Sequence, residues 1–343
     1  MVKRYGFLLK RIGWSLFTIL FVLVFNFFLF RVLPGDPARA GVHDPRLKKD
    51  AIEAIRVRFG LDKPVINCFE SLNPLEFGSC TVNPLDTQFF IYTRNLFQGE
   101  LGTSYHTNRP VADILAERLW NTILLIGAGQ ILAIILGVVL GILAAWKART
   151  AIDYTALLGS LLAWSLPTFW LGIILLFWGS SHGLPIGGKA TPGTSSWALT
   201  QQWGDIFKHM LLPTLTYTIV YMGEYMLIMR SSLLDVLSED YILTAKAKGL
   251  NTFQILKDHA LKNAMLPLVT VIAINLGFTV GGVLQIESVF SWPGLGLSIY
   301  EAVGRRDFPV LQGAFLLIAV SVIIANLIAD LTYSYLDPRV HTE

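Results

Sequence analysis

The sequence predicts an all-α polytopic membrane protein with six transmembrane helices and an extracytoplasmic subdomain between the first two. Three observations carry that prediction. Of 343 residues, 53% are hydrophobic and only 15% charged, with a mean hydropathy of +0.56, a balance that points away from a water-soluble fold. The apolar residues gather in stretches long enough to cross a bilayer, which takes about 20 residues of helix. The basic residues then sort to one side of those stretches. A formal charge of +3 is too small to suggest nucleic acid, so the partner implied by composition is the lipid bilayer.

The first span runs from Ile12 to Leu33 and is preceded by Lys3, Arg4, Lys10 and Arg11. A cleaved signal peptide has the same charged start, but its apolar core is only about 7–15 residues. Residues 1–33 therefore read as an uncleaved helix with a cytoplasmic N-terminus, and Arg31 can snorkel to the far interface. Leu33, Pro34, Gly35, Asp36 and Pro37 make a sharp stop.

Residues 34–115 are polar and turn-rich, too long for a simple connector, and form the extracytoplasmic subdomain. Asp44 and Pro45 open a helix by cap and first-turn rules; Leu47, Ala51, Ile52, Ile55 and Phe59 line one face, and Gly60 ends it. The chain's two cysteines, Cys68 and Cys80, also lie in this region. Two thiols on the oxidising side of a membrane, closing a short loop, favour a disulfide, with two free buried thiols as the alternative. Neither a His nor a further Cys lies nearby at zinc-ligand spacing.

Residues 116–335 hold the remaining spans. The second, Leu119 to Trp146, ends at Lys147 and Arg149 and contains Gly137 and Gly141, a small-xxx-small face suited to close packing within the chain. The third, Tyr154 to Trp178, has Pro167 inside it, which frees a backbone carbonyl for a neighbour or a cavity to satisfy. Ser181 to Lys208 is Gly/Pro/Ser-rich and extracytoplasmic. The fourth span, Met210 to Met229, holds Glu224; the fifth, Leu266 to Val289, carries Asn275; the sixth covers Phe315 to Tyr333; residues 336–343 are a cytoplasmic tail.

Charge supports this topology. The proposed inner segments contain twelve Lys and Arg (Lys3, Arg4, Lys10, Arg11, Lys147, Arg149, Arg230, Lys246, Lys248, Lys257, Lys262, Arg339), whereas the short outer ones contain four (Lys189, Lys208, Arg305, Arg306). That asymmetry is the positive-inside rule, with the long first loop excluded.

Chemistry of other kinds is absent or incomplete. Gly183 to Ala190 nearly spells a phosphate-binding loop, but it lacks the Ser/Thr that would hold magnesium, follows no strand and lies on the wrong side of the membrane for ATP. Ser298 raises intramembrane proteolysis, yet no histidine lies well inside a span to face it. Ionisable groups within spans suggest function by default. Glu224 and Asn275, with Gln130 as a polar neighbour, are candidate pore-lining residues; for Glu224 the alternative is a place near the cytoplasmic interface. Glu287 reads as a structural carboxylate that helps seat Trp292 and Pro293.

The most informative stretch is the polar interval from Ser238 to Pro267, within an inner loop of residues 231–265. Asp240 to Lys248 are helix formers, Ala245 and Ala247 alternate with Lys246 and Lys248, and Gly249 closes the helix as a C′ residue should. Asn251 restarts the chain, with Gln254 three positions on as in a capping box, and a second short helix is expected to about Asn263. A helix lined with Ala and ended by Gly suits a peg pressed into a partner's groove; a solvated loop is the plain alternative.

Asp240 and Tyr241, Thr244 to Leu250, His259 to Ala264, and Leu266 and Pro267 together resemble the EAA loop of ABC-importer permeases, in particular the "B" permease of the dipeptide/oligopeptide (DppB/OppB-like) family. Further similar stretches are Leu33 to Pro37, Gly60 to Pro64, Gly99 to Ser104, Glu287 to Gly296, Arg306 to Pro309 and Leu336 to Arg339. Residues of about 66–90, with both cysteines, form an insertion that the family pattern lacks. The glutamate that names the loop is also missing, with Leu243 and Thr244 in that region.

The resemblance implies a type I ABC importer permease, a non-catalytic inner-membrane subunit with both termini in the cytoplasm. Its expected partners are a related C-type permease, two ABC ATPase subunits and an extracytoplasmic substrate-binding protein. The chain would bind no cofactor, ATP and magnesium being held by the ATPases. Asp240, Tyr241, Ala245, Lys246, Ala247, Lys248, Gly249, His259, Asn263 and Pro267 would form the coupling surface. Di- or oligopeptides are the implied cargo, with oligosaccharides and nickel chelates as alternatives. A proton-coupled secondary transporter with Glu224 as carrier is the alternative of another class; it predicts repeats and paired midplane carboxylates, which the sequence lacks.

Overall fold

A computed structural model describes residues 2–32, 87–279 and 283–336. The expected helix over 45–59, the Cys68 and Cys80 pairing, and most of the 66–90 insertion lie outside the described residues. What is described is built from helices and turns. The helices are α1 (Val2–Val32), α2 (Gln88–Phe97), α3 (Val111–Trp146), α4 (Ala151–Ser165), α5 (Thr168–Ser181), α6 (Leu199–Leu237), α7 (Asp240–Ala247), α8 (Leu261–Thr279), α9 (Leu284–Val289), α10 (Leu295–Arg305) and α11 (Phe308–Leu336). Among the described residues, three stretches are long and apolar enough to cross a membrane, Lys10–Phe30, Val111–Trp146 and Phe308–Ile328, and α4 with α5 would make a fourth. In α6, which has 39 residues, Thr214, Thr216, Tyr217, Thr218, Tyr221 and Glu224 dilute the apolar character.

Several expected spans are corrected. The third is not one kinked helix: α4 and α5 meet at 98°. Leu166 is extended at φ −71°, ψ 131°, as the residue before a proline prefers, and Pro167 at φ −59° starts the next helix. The expected fourth span falls in the middle of α6, which begins eleven residues before Met210 and runs on to Leu237. Within the expected fifth span, α8 is described as far as Thr279, and a separate α9 starts at Leu284 after the extended Val283, at φ −110° and ψ 90°. The second and sixth begin earlier than expected, at Val111 and Phe308.

The chain divides into two compact units. One comprises residues 16–119 and 298–320. Its centre is Phe27, fully buried, with ring centroids 5.1 Å from Phe89 and 5.4 Å from Tyr92. Asp307 ties two of the resembling stretches together. It accepts from the Ser104 hydroxyl at 2.5 Å and the Tyr105 amide at 3.0 Å, and so fixes the turn closed by the Thr103–Pro110 bridge.

The other unit comprises residues 1–15, 120–297 and 321–343. Glycines let its helices meet backbone to backbone. A Cβ on Gly137 would lie 2.6 Å from Tyr225 Cβ, one on Gly141 2.7 Å from Met229 Cβ, and one on Gly129 2.9 Å from Tyr217 Cδ1. Residue numbers rise together along α3 and α6, so the two helices run parallel. The small-xxx-small face is thus used within the chain. Helix α4 runs antiparallel to α6: Gly223 meets Ser160 O, and Arg230 meets Asp153. That ion pair is bidentate, Nε to Oδ1 at 2.5 Å and Nη2 to Oδ2 at 2.9 Å, and the Arg149 amide adds a bond to Oδ2 at 2.8 Å.

Candidate functional site: a capped loop and a polar cluster between helices

The loop after α6 is shaped by its sequence. Helix α7 ends at Ala247 with Lys248 as its C-cap, and Gly249 takes φ +78°, a left-handed conformation that costs a side chain about 1–2 kcal/mol. Its amide bonds to Lys246 O at 2.9 Å. Asn251 and Gln254 form the expected capping box, Gln254 N to Asn251 Oδ1 at 2.9 Å and Asn251 N to Gln254 Oε1 at 3.0 Å. The second helix, however, does not stop near Asn263. It passes through a π-helical stretch, Ile255–Ala260, and continues as α8 with Pro267 inside it.

The expected contact residues do not share one face. Ile242 and Ala245 are buried among Met229, Leu233, Ile255, Leu256 and Ala260. Ala245, expected on the docking surface, instead lets α7 pack closely onto its own chain. Asp240, Lys246, Ala247, Lys248 and Gly249 are exposed, and so are Asn263 and Pro267; His259 is half-buried. Asn263 Nδ2 donates to the Tyr241 hydroxyl at 2.8 Å, which ties α7 to α8. The largest outward apolar groups were not singled out from the sequence: Leu243 is 67% exposed and Phe253 61%. Leu243 was partly legible, because with Thr244 it occupies the region where the resembling loop has its glutamate.

The second site joins the three pore-lining candidates. Asn275 Nδ2 donates to Glu224 Oε2 at 3.1 Å and to the Tyr225 hydroxyl at 2.9 Å. Gln130 Nε2 bonds to the same Tyr225 hydroxyl, and the Tyr217 hydroxyl donates to Gln130 Oε1. Residues of α3, α6 and α8 therefore share one hydrogen-bonded cluster. Gln130, Tyr217 and Tyr225 are buried, while Glu224, Asn275 and Tyr221 are half-buried. Tyr221 stacks on Tyr217 at 4.2 Å and meets Trp164 edge-on at 6.2 Å. The tyrosines were missed, although Tyr217, Tyr221 and Tyr225 recur every four residues and so share one helix face.

Glu287 has the structural role expected of it. The side chain is fully buried. It accepts from Thr122 Oγ1 at 2.7 Å and from the Leu297 amide at 2.9 Å. A Cβ on Gly294 would strike its carboxylate, and the Trp292 indole donates to Asn121 O at 2.9 Å. Lys189, the decoy lysine of the phosphate-loop-like stretch, donates to Asn121 Oδ1 at 2.7 Å. Nearby, burial alone would raise the Asp205 carboxyl, but the Thr191 amide and hydroxyl, with His209 and Lys208, hold it below the usual carboxylate range.

A family model described as "Binding-protein-dependent transport system inner membrane component" matches residues 137–342, and one for the N-terminal part of such membrane components matches residues 4–126. The chain belongs to this family. Among relatives, a protein of Brucella suis biovar 1 named as a peptide permease is 36% identical over 96% of this chain and 96% of its own. The dipeptide transport system permease protein DppB of Escherichia coli K12 is 32% identical over 97% of this chain and 98% of its own. The inward-facing MetNI methionine ABC transporter shares the fold, with a TM-score of 0.50 at 18% identity, over 65% of this chain and 96% of that one. The permease is thus a multi-pass membrane subunit of an ABC importer.

Proposed function

We propose that this permease imports peptides across the inner membrane as one half of a heterodimeric channel. The other half is a related C-type permease; two cytoplasmic ABC ATPases hold ATP and magnesium, and an extracytoplasmic binding protein delivers the cargo. The chain crosses the membrane six times, keeps both termini in the cytoplasm, binds no cofactor of its own and works by contact rather than catalysis. Peptide cargo is supported by the names of the relatives at more than 30% identity over nearly the full chain.

One observation carries the coupling role: Leu243 and Phe253 project outward at 67% and 61% exposure from a loop whose inner face is anchored by Ile242 and Ala245. A rigid support with an apolar outer face can transmit the motion of a nucleotide-driven partner. Closure of the ATPases on ATP would move this loop and turn the spans outward, and hydrolysis would reset them. Replacing Gly249 by valine forces a branched side chain into φ +78° and misaligns the support. The expected result is normal membrane insertion with ATP-driven uptake lost; full uptake would remove the coupling claim. Identifying the ligand of the co-purifying binding protein separates peptides from oligosaccharides and nickel chelates.

A second reading, a proton-coupled carrier, rests on Glu224 being a half-buried carboxylate within α6. Uptake by the purified chain alone in a proton gradient would decide for it.

A further inference from the structure

Hydrogen bonds between neutral side chains suffice to hold spans together, at about 0.6–2 kcal/mol each. Gln130, Tyr217, Tyr225 and Asn275 already supply such bonds across three helices. Glu224 adds nothing to that adhesion which a glutamine would not, yet a carboxylate inside a span costs about 2.5–3.5 kcal/mol or more. Its charge therefore calls for a partner. Among the described residues Glu224 makes no ion pair. Helix α3 faces the cluster with Gln130 and α8 with Asn275, while α4 faces Tyr221 with Trp164. The cation farther along α6, Arg230, is committed to Asp153 through two bonds.

The Glu224 residue is also only half-buried. Asn275 engages Oε2 alone, so Oε1 remains able to accept from a group that arrives from outside the helix bundle. Beside it, one turn back on the same helix, Tyr221 offers a ring held in place by its stack on Tyr217. A fixed anionic oxygen next to a fixed aromatic ring is the pairing that receives an ammonium group, by charge-assisted hydrogen bond and by cation–π contact.

We propose that Glu224, positioned by Asn275 and flanked by Tyr221, is a cation-accepting station in the transport path that takes the α-ammonium group of a peptide in transit. This rests on the peptide reading given above. It makes the permease itself, and not only its binding protein, selective for a free amino terminus.

The test uses the assembled transporter, with its partner permease, ATPases and binding protein, in proteoliposomes. Uptake of dialanine and of N-acetyl-dialanine is compared in wild type and in Glu224→Gln, each rate normalised to the binding protein loaded with that peptide. Glutamine keeps the shape and can still accept from Asn275, and Glu224→Asp serves as the conservative rescue. Dialanine uptake should fall about tenfold in Glu224→Gln, the loss when a charge-assisted hydrogen bond becomes a neutral one, and return at least in part in Glu224→Asp. N-acetyl-dialanine uptake should not fall. Equal losses for both peptides, unchanged dialanine uptake, or a Glu224→Gln chain that no longer assembles with its partner permease would each overturn the station. Absence of ATP-dependent uptake of either peptide in wild type would instead refute the peptide reading on which it depends.

Discussion

Replacing Gly223 by alanine probes how tightly the membrane helices are set. The added methyl would lie 2.6 Å from the Ser160 carbonyl oxygen and 3.4 Å from Trp164 Cβ. The first contact is with backbone, so no rotamer change can relieve it. Ordinary contact begins near 3.4 Å, and α4 must therefore withdraw from α6 by about 0.8 Å locally. Overpacking of this kind costs about 1–3 kcal/mol, while exchanging helical Gly for Ala returns about 0.5–1 kcal/mol. The net expectation is a loss of about 0–2.5 kcal/mol, centred near 1. The same displacement would stretch the Asp153–Arg230 pair, now at 2.5 Å. Gly159→Ala on α4 is the control, since a Cβ there meets nothing within 4 Å, and propensity alone should leave it neutral or slightly stabilised. Thermal unfolding in detergent measures both. Equal midpoints for the two variants would refute the close-packing argument, because the clash would then have no energetic consequence.

Two further outcomes are expected. Asp153→Ala leaves the Arg230 guanidinium without its bidentate partner and should cost about 3–5 kcal/mol; the double variant Asp153→Leu with Arg230→Met should cost less than Asp153→Ala alone in the same unfolding assay. Leu243→Asp alters a side chain that is 67% exposed, so stability should change by no more than about 0.5 kcal/mol, while the amount of ATPase retained with the purified permease should fall.

Much of the architecture could be read directly. Apolar runs and a one-sided distribution of Lys and Arg depend on composition along the chain, so they mark candidate spans and an expected orientation without any fold. Gly249 and the Asn251/Gln254 box depend on partners within three residues, and both appear as expected. The proline at position 167 was visible too, but whether it kinks or divides a helix depends on what surrounds Leu166, and the sequence carries no measure of that. The missing break at Asn263 has the same origin: the helix continues because Ala260, at the end of the π-helical stretch, and Ala264, in the first turn of α8, are buried with Met229, Leu233, Ile242 and Ala245.

The sequence by itself determined that this is a helical membrane protein with a glycine-ended loop between its fourth and fifth apolar stretches, since spans, caps and charge bias are local properties of the chain. Only the tertiary structure decided which side of that loop is free. Ala245 looks like a docking residue until it is seen buried in one cluster with Ile242 and Leu256, and Leu243, with Thr244, only marks the region of a missing glutamate until it is found facing outward. Likewise Gln130, Glu224 and Asn275 are isolated polar residues in sequence, separated by 94 and 51 positions. They become one site because the glycines of α3 allow α6 so close that side chains far apart along the chain come within hydrogen-bonding reach.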